Sequence, residues 1–512
     1  MASWRWWLPP ALLAFVLILT FVDPFIGDWD GVDYTILSLR GYPSTMALGR
    51  SLFVIYNHGL YRVAHALFNV APRDAYLIFK YAVVAQGPLA VITCWALARE
   101  LTRSLHAATI AASLLTFSPV FVIYSGQVMT DVPALLMLSV SLLVHLRGIQ
   151  RQKIWMVLLG AVLLGAGVNL RETTAFFAPW LVFAPFVGGW KFGRRELVVV
   201  ALSCLAFLLL AIGGFAYWFL SDPVYRMGWY GWRESMRQES ALHPVRVSNL
   251  FPFLAYWFVT SPLVLITLPF AFVKEWRERG LSLLLLLAAI GVLADLLLLM
   301  NYSSAIVWRY PMAALTALAP LTGDFLMRVL TARLRSARWA LISCVTAIVV
   351  LAVLFGLYTK PVKRQFIEWR ALSKDYITEL ARLPRNAVVM AGQQTVGVTY
   401  WRGVGEGEWD TIGTGSGWPG AQLVALISDY LKGGRRVFLD TDPNWWPVCG
   451  WQREEIPQVA DLETQFHFRR VSNYIFEIRP LTDSGAADVP NLKRLLPENR
   501  PEDVRRCPLG RR

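Results

Sequence analysis

The stretch "WWLPPALLAFVLILTFVDPFIGDWDGVDYT", Trp6 to Thr35, decides how the rest of the chain is read. Its first part, Trp6 to Val22, is a run of 17 mostly apolar residues, and three carboxylates (Asp28, Asp30, Asp33) then fall within six positions. An apolar run approaching the roughly 20 residues that carry a helix across a hydrocarbon core predicts a membrane crossing. No small-residue cleavage site follows it, whereas Pro24 and the acidic cluster do, so it reads as an anchor and not as a removed signal. The acids are thereby delivered to one membrane face.

Composition generalises this reading. Of 512 residues 56% are hydrophobic and only 16% are charged, and the mean hydropathy of +0.45 lies above what a soluble domain of this length tolerates. Further apolar runs cover Tyr81 to Ala98, Leu105 to Ile123, Val132 to Leu146, Ile154 to Val168, Thr173 to Val187, Leu197 to Leu220, Leu250 to Val273, Leu281 to Met300, Pro311 to Leu326 and Trp339 to Leu357. With the first, these make eleven candidate spans, of which the fourth, fifth, sixth and tenth have only 15 or 16 residues. The fold class expected is an α-helical polytopic membrane protein of about 11 transmembrane helices with a C-terminal extracytoplasmic α/β domain.

Every second connection is basic: Arg5, then Arg99 and Arg103, then Arg147, Arg151 and Lys153, then Lys191, Arg194 and Arg195, then Lys274, Arg277 and Arg279, then the arginines from 328 to 338. Short basic loops stay cytoplasmic, which places the N-terminus inside and everything after Tyr358 outside. The same loops account for most of the +14 formal charge, so the basic balance calls for no nucleic-acid partner. The compartment expected is a bacterial inner membrane.

On this topology residues 1–358 form the membrane domain, with a long first outer loop (23–75) and a second (221–249), followed by an outer soluble α/β domain (359–480) and a disordered tail (481–512). In the first loop Leu52, Tyr56, Leu60, Val63 and Leu67 share one helix face, and Arg50, Asn57, His58, Arg62 and His65 share the other. That stripe suits a helix lying in the membrane surface, or a short soluble helix packed on the outer domain. In the outer domain a helix near Phe366 to Leu380, "NAVVMAG", a helix near Ala421 to Leu431, "RRVFLDTD" and "NYIFEIRP" alternate as helix and strand. "GTGSGWPG" (413–420) reads as a plain turn, or as backbone N–H groups before a helix that hold a phosphate or sugar oxygen. "MGWYGW" (227–232) and "DPNWWP" (442–447) are aromatic enough to stack on sugar rings or to serve as an interfacial belt. Cys449 and Cys507 are both outside and available to pair in an oxidising compartment. No CxxC or HExxH spacing is present.

Charged residues in apolar spans are costly and mark functional sites. Asp131, Arg171 and Glu172 stand at the outer ends of short spans, Arg309 precedes the tenth, Lys80 opens the second and Asp295 interrupts the ninth. The costly residues are expected on the outer half, with almost none inward. They read either as a functional pocket or as buried ion pairs that hold the bundle together.

In chain order "DGVDY" (30–34), "NHGLYR" (57–62), "GQVMTDVPALL" (126–136), "LRETT" (170–174) and "WRYPMAAL" (308–315) resemble the GT-C superfamily of lipid-donor membrane glycosyltransferases, in the branch of protein O-mannosyltransferases and the lipid A aminoarabinose transferase. The resemblance covers residues 1–358 by layout. It implies an integral membrane enzyme moving a sugar from a polyprenyl-phosphate donor to a lipid, glycan or protein acceptor on the outer face. It also implies that Asp30 is the first-loop aspartate and Asp131 the second acidic position. Gly31 departs from the Asp-Glu pair usual in that family, leaving Asp28 or Asp33 as substitutes for the missing carboxylate.

The residues agree with such chemistry. A sugar hydroxyl is a poor nucleophile until a carboxylate takes its proton, the role expected of Asp30. A phosphate leaving group needs cations, and Lys80, Arg171 and Arg309 are placed to supply them. Direct displacement inverts the anomeric centre. Asp131 either orients the acceptor or binds a divalent cation (Mg2+ or Mn2+) with Asp30. His58 and Glu172 are acceptor-contacting or supporting candidates. "DWD" (28–30) matches a nucleotide-sugar metal element, but cytosolic nucleotide sugars do not reach the outer face. Against the rival class, a transporter or flippase for a lipid-linked sugar or other anionic substrate, the span pattern shows no internal repeat and no pair of Gly/Pro-broken spans in matched halves.

Overall fold

The computed structural model describes residues 4–26, 29–242, 250–301, 309–331, 337–363, 380, 382–391, 410–413, 420–440, 461–472 and 475–481. The chain divides into two compact units, Met1–Ile367 and Glu368–Arg512. The first is all helix: α1 (Trp4–Thr20), α2 (Trp29–Arg40), α3 (Ser51–Phe68), α4 (Ala75–Thr102), α5 (Leu105–Thr116), α6 (Pro119–Ser125), α7 (Asp131–Gln150), α8 (Ile154–Val168), a 3-10 turn (Glu172–Phe177), α9 (Pro179–Val187), α10 (Arg194–Ser221), α11 (Pro223–Leu242), α12 (Leu250–Thr260), α13 (Pro262–Arg279), α14 (Leu283–Asn301), α15 (Pro311–Thr331) and α16 (Ala337–Lys363).

Each of the eleven apolar runs lies on helix, but not each on one straight helix. Among the described residues five helices are individually long and apolar enough to cross a membrane, and two further runs are bent pairs, α5 with α6 at 64° and α12 with α13 at 107°. Both breaks fall at a Ser-Pro step, where the proline ring drives the preceding residue out of helical conformation. Ser118 and Ser261 are extended, and the Ser118 hydroxyl accepts a hydrogen bond from Phe121 N–H at 3.4 Å, starting α6 afresh. The remaining four runs are shorter apolar helices.

Small residues set the bundle's spacing. A Cβ on Gly160 of α8 would stand 2.8 Å from the His145 backbone of α7, and one on Gly148 would stand 2.7 Å from Val157 N. Around this seam Leu138, Leu142, Leu146, Val157, Leu164 and Trp180 form the apolar core.

Two outer segments need separate mention. In α3 the buried residues are Ser51, Phe53, Val54 and Asn57, while Ile55, Tyr56, Val63 and Leu67 are exposed, the last at 69%. Among the described residues most of its apolar stripe is uncovered, with Leu52 and Leu60 half-buried, and part of its polar side packs inward. At the corner of α10 and α11, Trp229 of "MGWYGW" packs against Phe215 and Phe219. Its indole donates to Ala47 O at 3.0 Å, and Tyr42 Oη donates to Asp222 at 2.7 Å. These rings knit the connection between α2 and α3 to α10 and α11.

Charge is not confined to one end of the bundle. Where the basic loops begin, Glu275 of α13 is fully buried and Asp324 of α15 nearly so. Arg328 joins both, and Arg279 joins both as well. The expectation that costly residues occupy only the outer half is corrected by this cluster. Glu275 and Asp324 look like loop charges in sequence, yet helix geometry turns them inward toward those arginines.

The second unit has a five-stranded sheet: β1 (Val388–Ala391), β2 (Asp410–Gly413), β3 (Val437–Asp440), β4 (Phe466–Arg470) and β5 (Ile475–Pro480), in the order β2-β1-β3-β5-β4. The first three are parallel, and β5 runs antiparallel to β3 and β4. Helix α17 (Gly420–Lys432) supplies Leu423 and Ile427 to a core with Val388, Met390, Leu439 and Phe468. Strands β1, β3 and β5 and this helix coincide with segments read from the sequence. Most of "GTGSGWPG", all of "DPNWWP", the helix expected near Phe366 and both outer cysteines lie outside the described residues.

Candidate active site

The site grows from two loops fastened together. Asp23 N–H donates to Gly126 O at 3.1 Å, and Val128 N–H donates to Ile26 O at 3.0 Å. The loop after α1 and the loop before α7 thus run as a short backbone ladder. Lys80 of α4, buried, donates from Nζ to Asp23 O and Phe25 O, both at 2.8 Å, and ties the ladder to the bundle.

Helix α2 then begins over this platform. Gly31 faces it so closely that a Cβ would stand 2.9 Å from Val128 O and 3.1 Å from Ile26 Cγ2. That contact explains the departure from an Asp-Glu pair: no side chain fits at position 31. Gly31, Val32, Thr35 and Ile36 are buried, leaving Asp30 and Asp33 on the half-exposed side.

Helix α7 opens with Asp131, whose carboxylate forms an ion pair with Arg171 Nη1 at 2.7 Å, the two side chains only 2% and 4% exposed. Arg171 also donates to Thr130 Oγ1 at 3.2 Å and lies over the Tyr310 ring. Arg309, just before α15, brings Nη2 to 2.5 Å from Asp30 Oδ2. Arg50, in left-handed conformation at the start of α3, grips Glu172 with two hydrogen bonds, Nε to Oε2 at 3.2 Å and Nη2 to Oε1 at 3.0 Å. Asp131, Arg171, Thr174, Arg309 and Tyr310 line a small cleft whose other walls include Leu135, Leu138 and Met312. Burial alone raises the proton affinity of Asp30, but Arg309, with Arg50 and Arg171, outweighs it and holds the carboxyl below the usual aspartate range.

The structure therefore brings Asp30, Asp131, Arg171, Arg309 and Glu172 into one cluster. Lys80 is committed to the ladder carbonyls. His58 Nδ1 donates to Ser38 O at 2.8 Å, and its ring fills the space beside Gly41. Asp28 lies outside the described residues. Asp295 accepts from the Trp257 indole and is not among the residues lining the cleft. Sequence reasoning missed Arg50 as a partner of Glu172 and Tyr310 as a wall of the cleft. Arg50 was assigned to a helix face, and only its position as the turn into α3 aims it at Glu172. Among the described residues no three His, Cys, Asp or Glu side chains gather as metal ligands. The positive charge facing Asp30 and Asp131 comes from Arg309 and Arg171.

Comparison with solved structures decides the architecture. ArnT from Cupriavidus metallidurans, bound to undecaprenyl phosphate, superposes with a TM-score of 0.58 at 14% identity, over 96% of this chain and 99% of that one. The chain has the GT-C fold. The Archaeoglobus fulgidus oligosaccharyltransferase in its apo form matches at a TM-score of 0.56 and 12% identity, over 98% of this chain and 78% of that one. Residues 60–218 also match the family described as dolichyl-phosphate-mannose-protein mannosyltransferase. This segment contains Asp131, Arg171 and Glu172, whereas Asp30 and Arg309 lie outside it. No curated protein matches the chain by sequence.

Proposed function

We propose that this chain is an integral membrane glycosyltransferase that moves a sugar from a polyprenyl-phosphate donor to an acceptor hydroxyl on the outer, periplasmic or lumenal, face. The observation that carries the reading is the cleft in which Arg171 and Arg309 stand beside Asp131, with Leu135, Leu138 and Met312 as apolar walls. A lipid phosphate needs cations at its head and apolar surface along its tail, and this cleft offers both. ArnT, which shares the fold, was solved with undecaprenyl phosphate.

In the reaction a carboxylate of α2 receives the acceptor hydroxyl's proton as the acceptor oxygen attacks the anomeric carbon. The bond from that carbon to the phosphate oxygen breaks, and its electron pair leaves with the phosphate. The attack comes from the side opposite the leaving group, so the anomeric configuration inverts. The extra negative charge develops on phosphate oxygens within reach of Arg171 and Arg309, whose forked donors suit phosphate. Groups fixed in advance where charge develops lower the barrier most. Asp131 holds Arg171 in place, as Asp30 holds Arg309.

The test is release of polyprenyl phosphate from a polyprenyl-phosphate sugar by the purified full chain in lipid. Turnover with inverted product supports the reading, and downhill movement of intact donor across the bilayer without cleavage would favour a flippase instead.

A further inference from the structure

We propose that Asp33 is the carboxylate that takes the acceptor's proton, and that Asp30 is a positioning residue that holds Arg309. The proposal rests on the glycosyl-transfer reading and assigns a step within it.

Asp30 and Asp33 stand three residues apart on α2, so they are neighbours on one helix face, the face left half-exposed. Their surroundings differ. Asp30 has an oxygen 2.5 Å from the Arg309 guanidinium. Asp131 is spent on Arg171 and Glu172 on Arg50. Asp33, beside Asp30 on α2, has neither hydrogen bond nor ion pair among the described residues. Both of its oxygens are therefore unengaged, whereas each of the other three carboxylates has an arginine on it.

The groups around it keep it that way. Burial first, and the Asp30 charge second, push its proton affinity up to about 6, with Arg50 pulling in the other direction. Of the other titratable groups on the helices packed against α2, His58 of α3 is engaged by Ser38 O, and Lys80 of α4 by Asp23 O and Phe25 O. A base works best when its affinity lies near the working pH. Asp30, held below the usual range by Arg309, is a poor keeper of a proton.

The step balances as follows. The acceptor O–H bond breaks and its proton passes to Asp33, which becomes a neutral carboxylic acid. The acceptor oxygen bonds to the anomeric carbon, the carbon–phosphate-oxygen bond breaks, and the leaving phosphate gains one negative charge facing Arg171 and Arg309. Asp33 then gives its proton to water.

The experiment uses the full chain in lipid nanodiscs with polyprenyl phosphate carrying tritiated mannose or glucose, and reads polyprenyl phosphate release against pH. Wild-type kcat is expected to fall below about pH 6. Asp33→Asn should lower kcat by roughly 10²–10⁴-fold with little change in KM, and should erase that acid limb. Asp33→Glu should recover part of the rate with a displaced limb. An Asp33→Asn enzyme of near-normal kcat, or one that loses rate yet keeps the limb, overturns the assignment. No turnover of either donor by wild type overturns the underlying reading and the proposal with it. Infrared titration of the carboxyl band needs no donor, and a protonation near pH 6 that Asp33→Asn deletes is expected. Persistence of that band in the variant counts against Asp33 whatever the turnover shows.

Discussion

Helix α15 separates two charge clusters that differ in how completely they are spent. Before its first turn, Arg309 pairs with Asp30, and Asp131–Arg171 and Glu172–Arg50 stand as discrete pairs between different elements. Near its last turn, Glu275 and Asp324 are shared between Arg279 and Arg328, and Glu278 joins Arg328 as well. The shared lattice clasps α13 to α15. Of the discrete pairs, Asp131–Arg171 lines the cleft, as does Arg309, and Asp33 is left over. Buried charge that is fully cross-bonded does the work of a clasp, whereas buried charge with capacity to spare can receive a ligand.

The contrast predicts that activity and stability separate between the two clusters. Arg309→Ala should lower transfer by roughly 10²–10³-fold through loss of phosphate stabilisation, with only a small change in melting temperature because Arg309 is partly open. Glu275→Gln should do the reverse, costing about 3–5 kcal/mol of stability by removing a fully buried charge that Arg279 and Arg328 both bind, with kcat per folded molecule unchanged. If both variants lose activity and stability in parallel, the distinction fails. Arg171→Ala sits between them: its pair is almost fully buried and borders the cleft. It should lose both transfer and about 3 kcal/mol, read by turnover and thermal unfolding of the same sample.

A smaller effect sharpens the role of the platform. Gly31→Ala should cost about 1–3 kcal/mol from overpacking against Val128 O, and its loss of activity should track the loss of folded protein. Smallest of all, His58→Ala should cost about 1 kcal/mol by removing the bond to Ser38 O and leave KM for acceptor unchanged. A marked rise in that KM would return His58 to the acceptor site.

Much of this was legible in the chain because the bilayer imposes a strong rule: apolar runs become helices, and charges inside them need partners. Asp131, Arg171 and Arg309 stood out for that reason. What could not be read is how partners are distributed. Asp30 and Asp33 look equivalent in "DGVDY", and only the fold gives Arg309 to one of them. Lys80 has the right charge and depth for a phosphate, yet its reach ends on two loop carbonyls. Strands β2 and β4 were missed because "DTIG" is too short to show alternation, and "FHFRR" carries two arginines that read as a solvated turn. The Ser-Pro breaks were visible as letters, but the 64° and 107° bends depend on what each half packs against.

The absence of a side chain at Gly31 has a consequence for any chain built on the same plan. The backbone ladder fixes the gap between two outer segments at a width that admits hydrogen alone. A homologous architecture bearing glutamate there must have wider separation, slackened rungs or a displaced helix. The bulk of the residue following the first aspartate is thus a ruler for that gap, readable from sequence before any coordinates exist.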